Sequence, residues 1–121
     1  MSMMIESTAV TVCALSRLTV GRGMAALVGD RAIAVFLLAD GELAAIDNID
    51  PCSGASVLSR GLVGDVDGMV TVASPMYKQR FDLRTGQCLD VDDTRVAVHR
   101  ASAVDGMVEI LLDPGVEVTC R

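Results

Sequence analysis

Aromatic residues are scarce in this chain, with one Tyr, two Phe and no Trp among 121 residues. A core has to be assembled from Val, Leu, Ile, Ala and Met, and single-stranded nucleic acid finds no stacking platform. Positive charge is scarce too. Ten Lys and Arg stand against sixteen Asp and Glu, a net charge of −6. The basic stripe that a phosphate backbone or an anionic membrane requires is therefore missing. Long hydrophobic runs are absent. The most apolar stretch, residues 24–46, is interrupted by Gly29-Asp30-Arg31 and by Asp40-Gly41-Glu42, so no run reaches the length of a bilayer span. The first ten residues have no basic region and carry Glu6, unlike a secretory signal. These absences exclude nucleic acid and membrane as expected partners and predict a soluble, cytoplasmic protein.

Clustered metal ligands are missing as well. The four cysteines, Cys13, Cys52, Cys88 and Cys120, are far apart and form no C-x-x-C pair, the clip that zinc and iron–sulfur sites usually show. Without a secretory signal they are expected to be reduced thiols. His99 is the only histidine and no G-x-S-x-G elbow accompanies it, which favours a structural role over a nucleophile–base device. Asp90, Asp92 and Asp93 lack the Gly and the distal Glu of a calcium loop and are expected to form a solvated loop. Gly21-Arg22-Gly23-Met24-Ala25-Ala26 has the letters of a dinucleotide turn. Gly29-Asp30 breaks the chain before a helix could form, so Gly21 and Gly23 are assigned to a turn entering a strand.

What is present is punctuation. Asp-Gly occurs at Asp40-Gly41, Asp67-Gly68 and Asp105-Gly106, with Gly29-Asp30 and Thr85-Gly86 between further runs of Val, Ile, Leu and Ala. Asp-Gly suits the positive backbone angles of tight hairpins. The spacing predicts strands over residues 10–14, 24–28, 32–39, 43–47, 69–73, 79–83, 95–99 and 107–112. Short strands between regular turns indicate an all-β, antiparallel sandwich or barrel. Several runs are continuously apolar, which suits strands buried on both faces. One turn of helix is expected over residues 15–18, capped by Ser16. The hydrophobic content of 51% supports one folded domain over residues 1–121, with its core over about residues 10–112 and fraying tails.

Two segments depart from the hairpin pattern: residues 48–61, NIDPCSGASVLSRG, and residues 73–86, ASPMYKQRFDLRTG. Each combines a proline with small or polar residues, and long loops on a compact scaffold tend to carry function.

These loops resemble the two cluster-binding loops of Rieske domains, which read roughly C-x-H-x-x-A-x-L-S-x-G and C-P-x-H-G-x-x-F-D-L-x-T-G. In the second loop Pro75, Phe81-Asp82-Leu83 and Thr85-Gly86 match, while Ser74 stands at the thiolate position and Tyr77 at the imidazole position. In the first, Ala55, Leu58, Ser59 and Gly61 match. Aligned from Asn48, the ligand positions fall on Asp50 and Cys52; aligned from Leu58, they fall on Pro51 and Ser53. A Rieske cluster takes two thiolates and two imidazoles, and the two loops together offer Cys52 and no histidine. That departure is itself similar to a branch of the family, the small subunits of assimilatory NADH-dependent nitrite reductases. Asn48-Ile49-Asp50-Pro51, residues 57–61, Ala73-Ser74-Pro75 and residues 78–81 carry the likeness.

The resemblance implies a Rieske-like fold with both loops at one tip and no cofactor bound by this chain. It implies a large catalytic partner carrying FAD, siroheme and a [4Fe-4S] cluster, which reduces nitrite to ammonium. An accessory role without catalytic residues follows. Tyr77 is expected to fill volume vacated by the cluster, and Cys52 to pack as a small hydrophobe. Pro51, Pro75, Met76, Tyr77, Lys78 and Arg80 are the expected partner interface. Two alternatives stay open: a Rieske ferredoxin feeding an oxygenase, and a free-standing enzyme using Cys52 or His99.

Overall fold

The structure is a computed structural model and describes residues 8–112; the expected fraying of both tails, and Cys120, lie outside them. Two of the three Asp-Gly pairs act as their chemistry demands; at Asp40-Gly41 only Gly41 (φ 88°) is left-handed, within a longer connection over residues 38–42. Asp67 and Gly68 (φ 52° and 85°) and Asp105 and Gly106 (φ 52° and 79°) both take left-handed angles, which fold tight hairpins with the right twist.

Among the described residues nine antiparallel strands result. They are β1 (Thr8–Ala14), β2 (Gly23–Val28), β3 (Arg31–Leu37), β4 (Leu43–Asp47), β5 (Leu62–Val66), β6 (Met69–Ala73), β7 (Arg80–Asp82), β8 (Val98–Val104) and β9 (Met107–Leu112). Six form one sheet in the order β1-β9-β8-β4-β3-β2, and three form a second in the order β5-β6-β7. The larger sheet curls until its edge strands β1 and β2 touch, giving a near-closed barrel. The expected all-β architecture holds, with corrections. Strand β5 was not expected, β8 begins three residues later than the expected start at residue 95, and β7 is shorter. The expected helical turn is a 3₁₀ segment, Leu15–Arg17, but Ser16 does not cap it: Ala14 holds the cap position and no side chain bonds there.

Two core layers account for the continuous apolar runs. On β3, Ile33 and Val35 face the barrel interior with Ala45, Val108 and Ile110. Ala34 and Phe36 face the opposite way, toward Ile46, Leu58, Val72, Phe81 and Leu83. A strand buried on both faces needs no polar alternation. Phe36 and Phe81 are both fully buried between the sheets, each contributing on the order of 1.5–3 kcal/mol of apolar burial. Gly21, at φ +82°, serves a turn, and Gly23 opens β2 rather than a helix. A Cβ at Gly23 would lie 2.5 Å from the Ser59 carbonyl oxygen and 2.6 Å from the Phe36 ring. The strand can pass under the first long loop only because that side chain is missing. No helix among the described residues is long and apolar enough to cross a membrane.

Candidate functional site at the loop tip

The two long loops leave the scaffold side by side. The first is organised by Asn48, a buried residue just past β4. Its Nδ2 donates to Ser56 Oγ at 2.8 Å, and its Oδ1 accepts from the Ser59 amide at 2.7 Å. Its carbonyl accepts from the amides of Val57 and Leu58 at 3.0 and 2.9 Å. Side chain and backbone thus replace the ladder partners that a loop loses. Leu58, fully buried, anchors the loop in the core. Between these points the chain closes a tight turn, with the Asp50 amide on the Ala55 carbonyl at 2.8 Å and the Gly54 amide on the Asp50 carbonyl at 2.7 Å.

The second loop closes between β6 and β7. The Ser74 amide donates to the Gln79 carbonyl at 2.9 Å, and the Lys78 amide donates to the Ser74 carbonyl at 2.8 Å. This closure places Lys78 at φ 65°. The residue stands where the Rieske pattern has glycine, and the left-handed conformation costs an L-residue roughly 1–2 kcal/mol.

Asp50 joins the loops. It is fully buried, and its Oδ2 accepts from Ser74 Oγ at 2.6 Å. Its Oδ1 accepts from Gln79 Nε2 at 2.8 Å and from the Cys52 amide at 2.8 Å. Burial pushes its pKa up. The hydrogen bonds from Ser74, the Cys52 amide, Ser53 and Gln79 outweigh burial and hold the carboxyl below its ordinary value. A carboxylate with several inward-pointing donors stays ionised, and the short Ser74 contact has the length of a charge-assisted bond. Ser74 Oγ in turn accepts from the Met76 amide at 3.1 Å. Gln79 Oε1 is buried without a partner.

Asp50, not Pro51, faces Ser74; Pro51 is exposed. The donors at the four ligand positions aligned from Asn48 are a carboxylate, a thiol, a hydroxyl and a phenol, and two of them already bond each other. They do not fit a two-iron cluster, which takes paired thiolates and imidazoles. Among the described residues no three His, Cys, Asp or Glu side chains converge as a metal site.

Two expectations need correction. Tyr77 does not fill vacated volume: it is 65% exposed. Cys52 does not pack as a hydrophobe: its side chain is exposed at the tip. The reason is the same for both. The carboxylate network occupies the space between the loops, leaving these side chains outside it. They border an open groove of about 410 Å³ with Lys78, Gln79, Arg80 and Asp90. Pro75 and Met76 are also exposed. Arg80 clamps Asp90, with Nη2 to Oδ1 at 2.7 Å, Nε to Oδ2 at 3.0 Å and its own amide to Oδ2 at 2.8 Å. Asp90 is therefore not simply solvated. The Arg80 side chain and amide hold its pKa at about 2.

His99 lies elsewhere, buried on β8, with Nε2 2.8 Å from Asp47 Oδ1. Arg31 donates to the same carboxylate, Nε to Oδ1 at 3.1 Å and Nη2 to Oδ2 at 3.2 Å. The cluster ties β3, β4 and β8 together, the structural role expected of His99. Burial raises the Asp47 pKa, but His99 and Arg31 together hold it below the ordinary value. Sequence reasoning missed Asn48, Gln79 and Asp47 as partners. A buried amide two residues before a loop carboxylate was the available signal for Asn48; none marked Gln79.

Residues 8–111 match the family model of the Rieske-like [2Fe-2S] domain. The nitrite reductase (NADH) small subunit of Escherichia coli K12 is 38% identical over 100 residues, 82% of this chain and 93% of that protein. The solved structure of the E. coli protein NirD superposes with a TM-score of 0.81 at 36% identity, covering 88% of this chain and 97% of that one. A stretch of the Klebsiella oxytoca NAD(P)H nitrite reductase large subunit is 40% identical over 97 residues, 80% of this chain but 10% of that much longer protein. The ferredoxin of carbazole 1,9a-dioxygenase from Nocardioides aromaticivorans shares the fold alone, with a TM-score of 0.74 at 24% identity, covering 86% of this chain and 97% of that one.

Proposed function

The chain belongs to the Rieske-like [2Fe-2S] domain family, in its branch of nitrite reductase small subunits, and from that premise we propose that it is the non-catalytic small subunit of an NAD(P)H-dependent assimilatory nitrite reductase. The observation that carries this reading is the 38% identity to such a subunit across nearly all of that protein. The K. oxytoca relative supports the partner, since there a comparable stretch is covalently part of a large subunit. The large subunit supplies FAD, siroheme and a [4Fe-4S] cluster, and electrons from NAD(P)H reach nitrite on those centres. The reaction belongs to nitrate assimilation and to the cytoplasm.

This chain acts as one domain and contributes surface rather than a redox centre. Its Asp50 carboxylate, bonded to Ser74 and Gln79, does structurally what a cluster does in a Rieske domain: it staples the two loops. The stapled tip presents Pro51, Pro75, Met76, Tyr77, Lys78 and Arg80 to the large subunit. Exposed Met and Tyr are the residue types enriched at interface cores.

The ferredoxin reading rests on fold alone, and the degenerate positions Asp50, Cys52, Ser74 and Tyr77 oppose it. Purifying the chain with and without the large subunit tests both readings. NAD(P)H-dependent nitrite reduction is expected only in the complex, and the isolated chain is expected to carry no stoichiometric iron or sulfide. A brown chain with two irons, active toward an oxygenase, would overturn the proposal.

A further inference from the structure

Lys78 is the chain's only lysine, and it occupies an unfavourable backbone. Among the described residues four non-glycine residues have positive φ: Asp67, Lys78, Asp93 and Asp105. Three are aspartates, whose short polar side chains bond locally and tolerate that region. A lysine has no such compensation. Glycine would hold the same turn without steric strain, so the backbone conformation gives no reason for a lysine there.

The surroundings give the side chain a purpose. Lys78 is exposed and makes no ion pair among the described residues. In the same groove Arg80 and Asp90 neutralise each other at 2.7 Å. The ammonium of Lys78 is thus the uncompensated charge of the groove, on a chain whose net charge is −6. It is flanked by apolar surface, with Met76 48% and Tyr77 65% exposed. Such a mixed patch fits a protein surface rather than a free anion.

We propose that Lys78 is the electrostatic anchor of the docking tip, pairing with a carboxylate of the large subunit while Met76 and Tyr77 bury against apolar surface around it. The inference rests on the tip-docking reading above and adds the partner's chemistry. The one uncompensated cation of the groove accepts an acidic partner surface and fixes the register of the approach.

The test measures Kd for the purified large subunit at several salt concentrations, together with Tm of the free chain. Lys78→Gly is expected to raise Tm by a few degrees, yet to weaken binding by about tenfold and flatten its salt dependence. Lys78→Arg is expected to keep the salt dependence. Met76→Ala/Tyr77→Ala is expected to weaken binding without changing the salt slope. If Lys78→Gly binds with wild-type affinity and slope while the double variant is weakened, the anchor is refuted and tip docking stands. If both bind like wild type, the tip does not dock and both readings fall.

Discussion

At the scale of single residues, the tip depends on a buried charge that is fully hydrogen-bonded, and such groups are costly to disturb from one side only. Asp50→Ala would leave the Ser74 hydroxyl and the Gln79 amide buried without their acceptor. Each neutral donor stranded in this way costs about 1–3 kcal/mol. Ser74→Ala removes one charge-assisted bond and leaves the others, for about 1.5–3 kcal/mol. Urea unfolding should show both as lower midpoints at unchanged slope, with Asp50→Ala the larger. The Lys78→Gly gain can be bounded likewise. Relief of about 1–2 kcal/mol of left-handed strain is offset by about 0.4–1 kcal/mol of added freedom in the unfolded chain. The net gain lies between about 0 and about 1.6 kcal/mol, which for a domain near this size is a rise in Tm of a few degrees.

Acid sensitivity belongs to the same scale. Asp47, Asp50 and Asp90 all have folded pKa values below the ordinary carboxylate value, Asp90 at about 2. An aspartate whose folded value is depressed contributes stability that is complete above its unfolded pKa of about 3.9. That contribution is lost as pH falls through the folded value. Asp90 is largely solvent-screened and adds little. Tm is expected to be flat above about pH 5 and to fall between about pH 4 and 2. Asp50→Asn should flatten the fall; an unchanged profile would show that Asp50 is not a principal titrating group.

At the scale of elements, close backbone approach decides where strands can run. Gly23→Ala places a Cβ against the Ser59 carbonyl and the Phe36 ring, where overpacking costs about 1–3 kcal/mol and displaces the first loop. Gly61→Ala would drive a Cβ into the Ala73 carbonyl, where β5 leaves the first loop beside β6. Gly41→Ala meets open space at φ +88° and should cost only the conformational strain, about 1–2 kcal/mol. Amide NMR spectra of Gly23→Ala and Gly41→Ala, recorded beside their thermal melts, would separate the two causes, because only the first should perturb the resonances around Ser59.

Element by element, legibility in the sequence followed the turn chemistry. Asp67-Gly68 and Asp105-Gly106 marked their hairpins because few other pairs accept two left-handed residues in succession. Strand β5 was hidden because Leu62-Val63-Gly64-Asp65-Val66 carries Gly-Asp, a turn signal, and Leu62 is 79% exposed on a sheet edge. No apolar periodicity survives there. The start of β8 was misplaced because Arg95-Val96-Ala97-Val98 alternates like a strand, yet Gln87 and Arg95 form only an isolated bridge. The site was half legible. Alignment of the loops identified Asp50 and Ser74 as positions, but their hydrogen bond joins residues 24 apart in the chain. Gln79, 29 residues from Asp50, reads as surface beside Lys78 and Arg80, and only the fold turns it inward.

For the molecule as a whole, a clasp made of a carboxylate, a hydroxyl and an amide changes what its integrity depends on. A tip clasped by Asp50, Ser74 and Gln79 is complete once the polypeptide has folded. On the proposed cluster-free reading it would need no maturation machinery and no timed delivery from an assembly scaffold. Excess chelator should leave Tm and partner affinity of the isolated chain unchanged, and peroxide should spare the clasp itself, since none of the three side chains is readily oxidised. Supply of the finished subunit would then track translation alone, uncoupled from the cell's reserves of the element that its relatives must acquire.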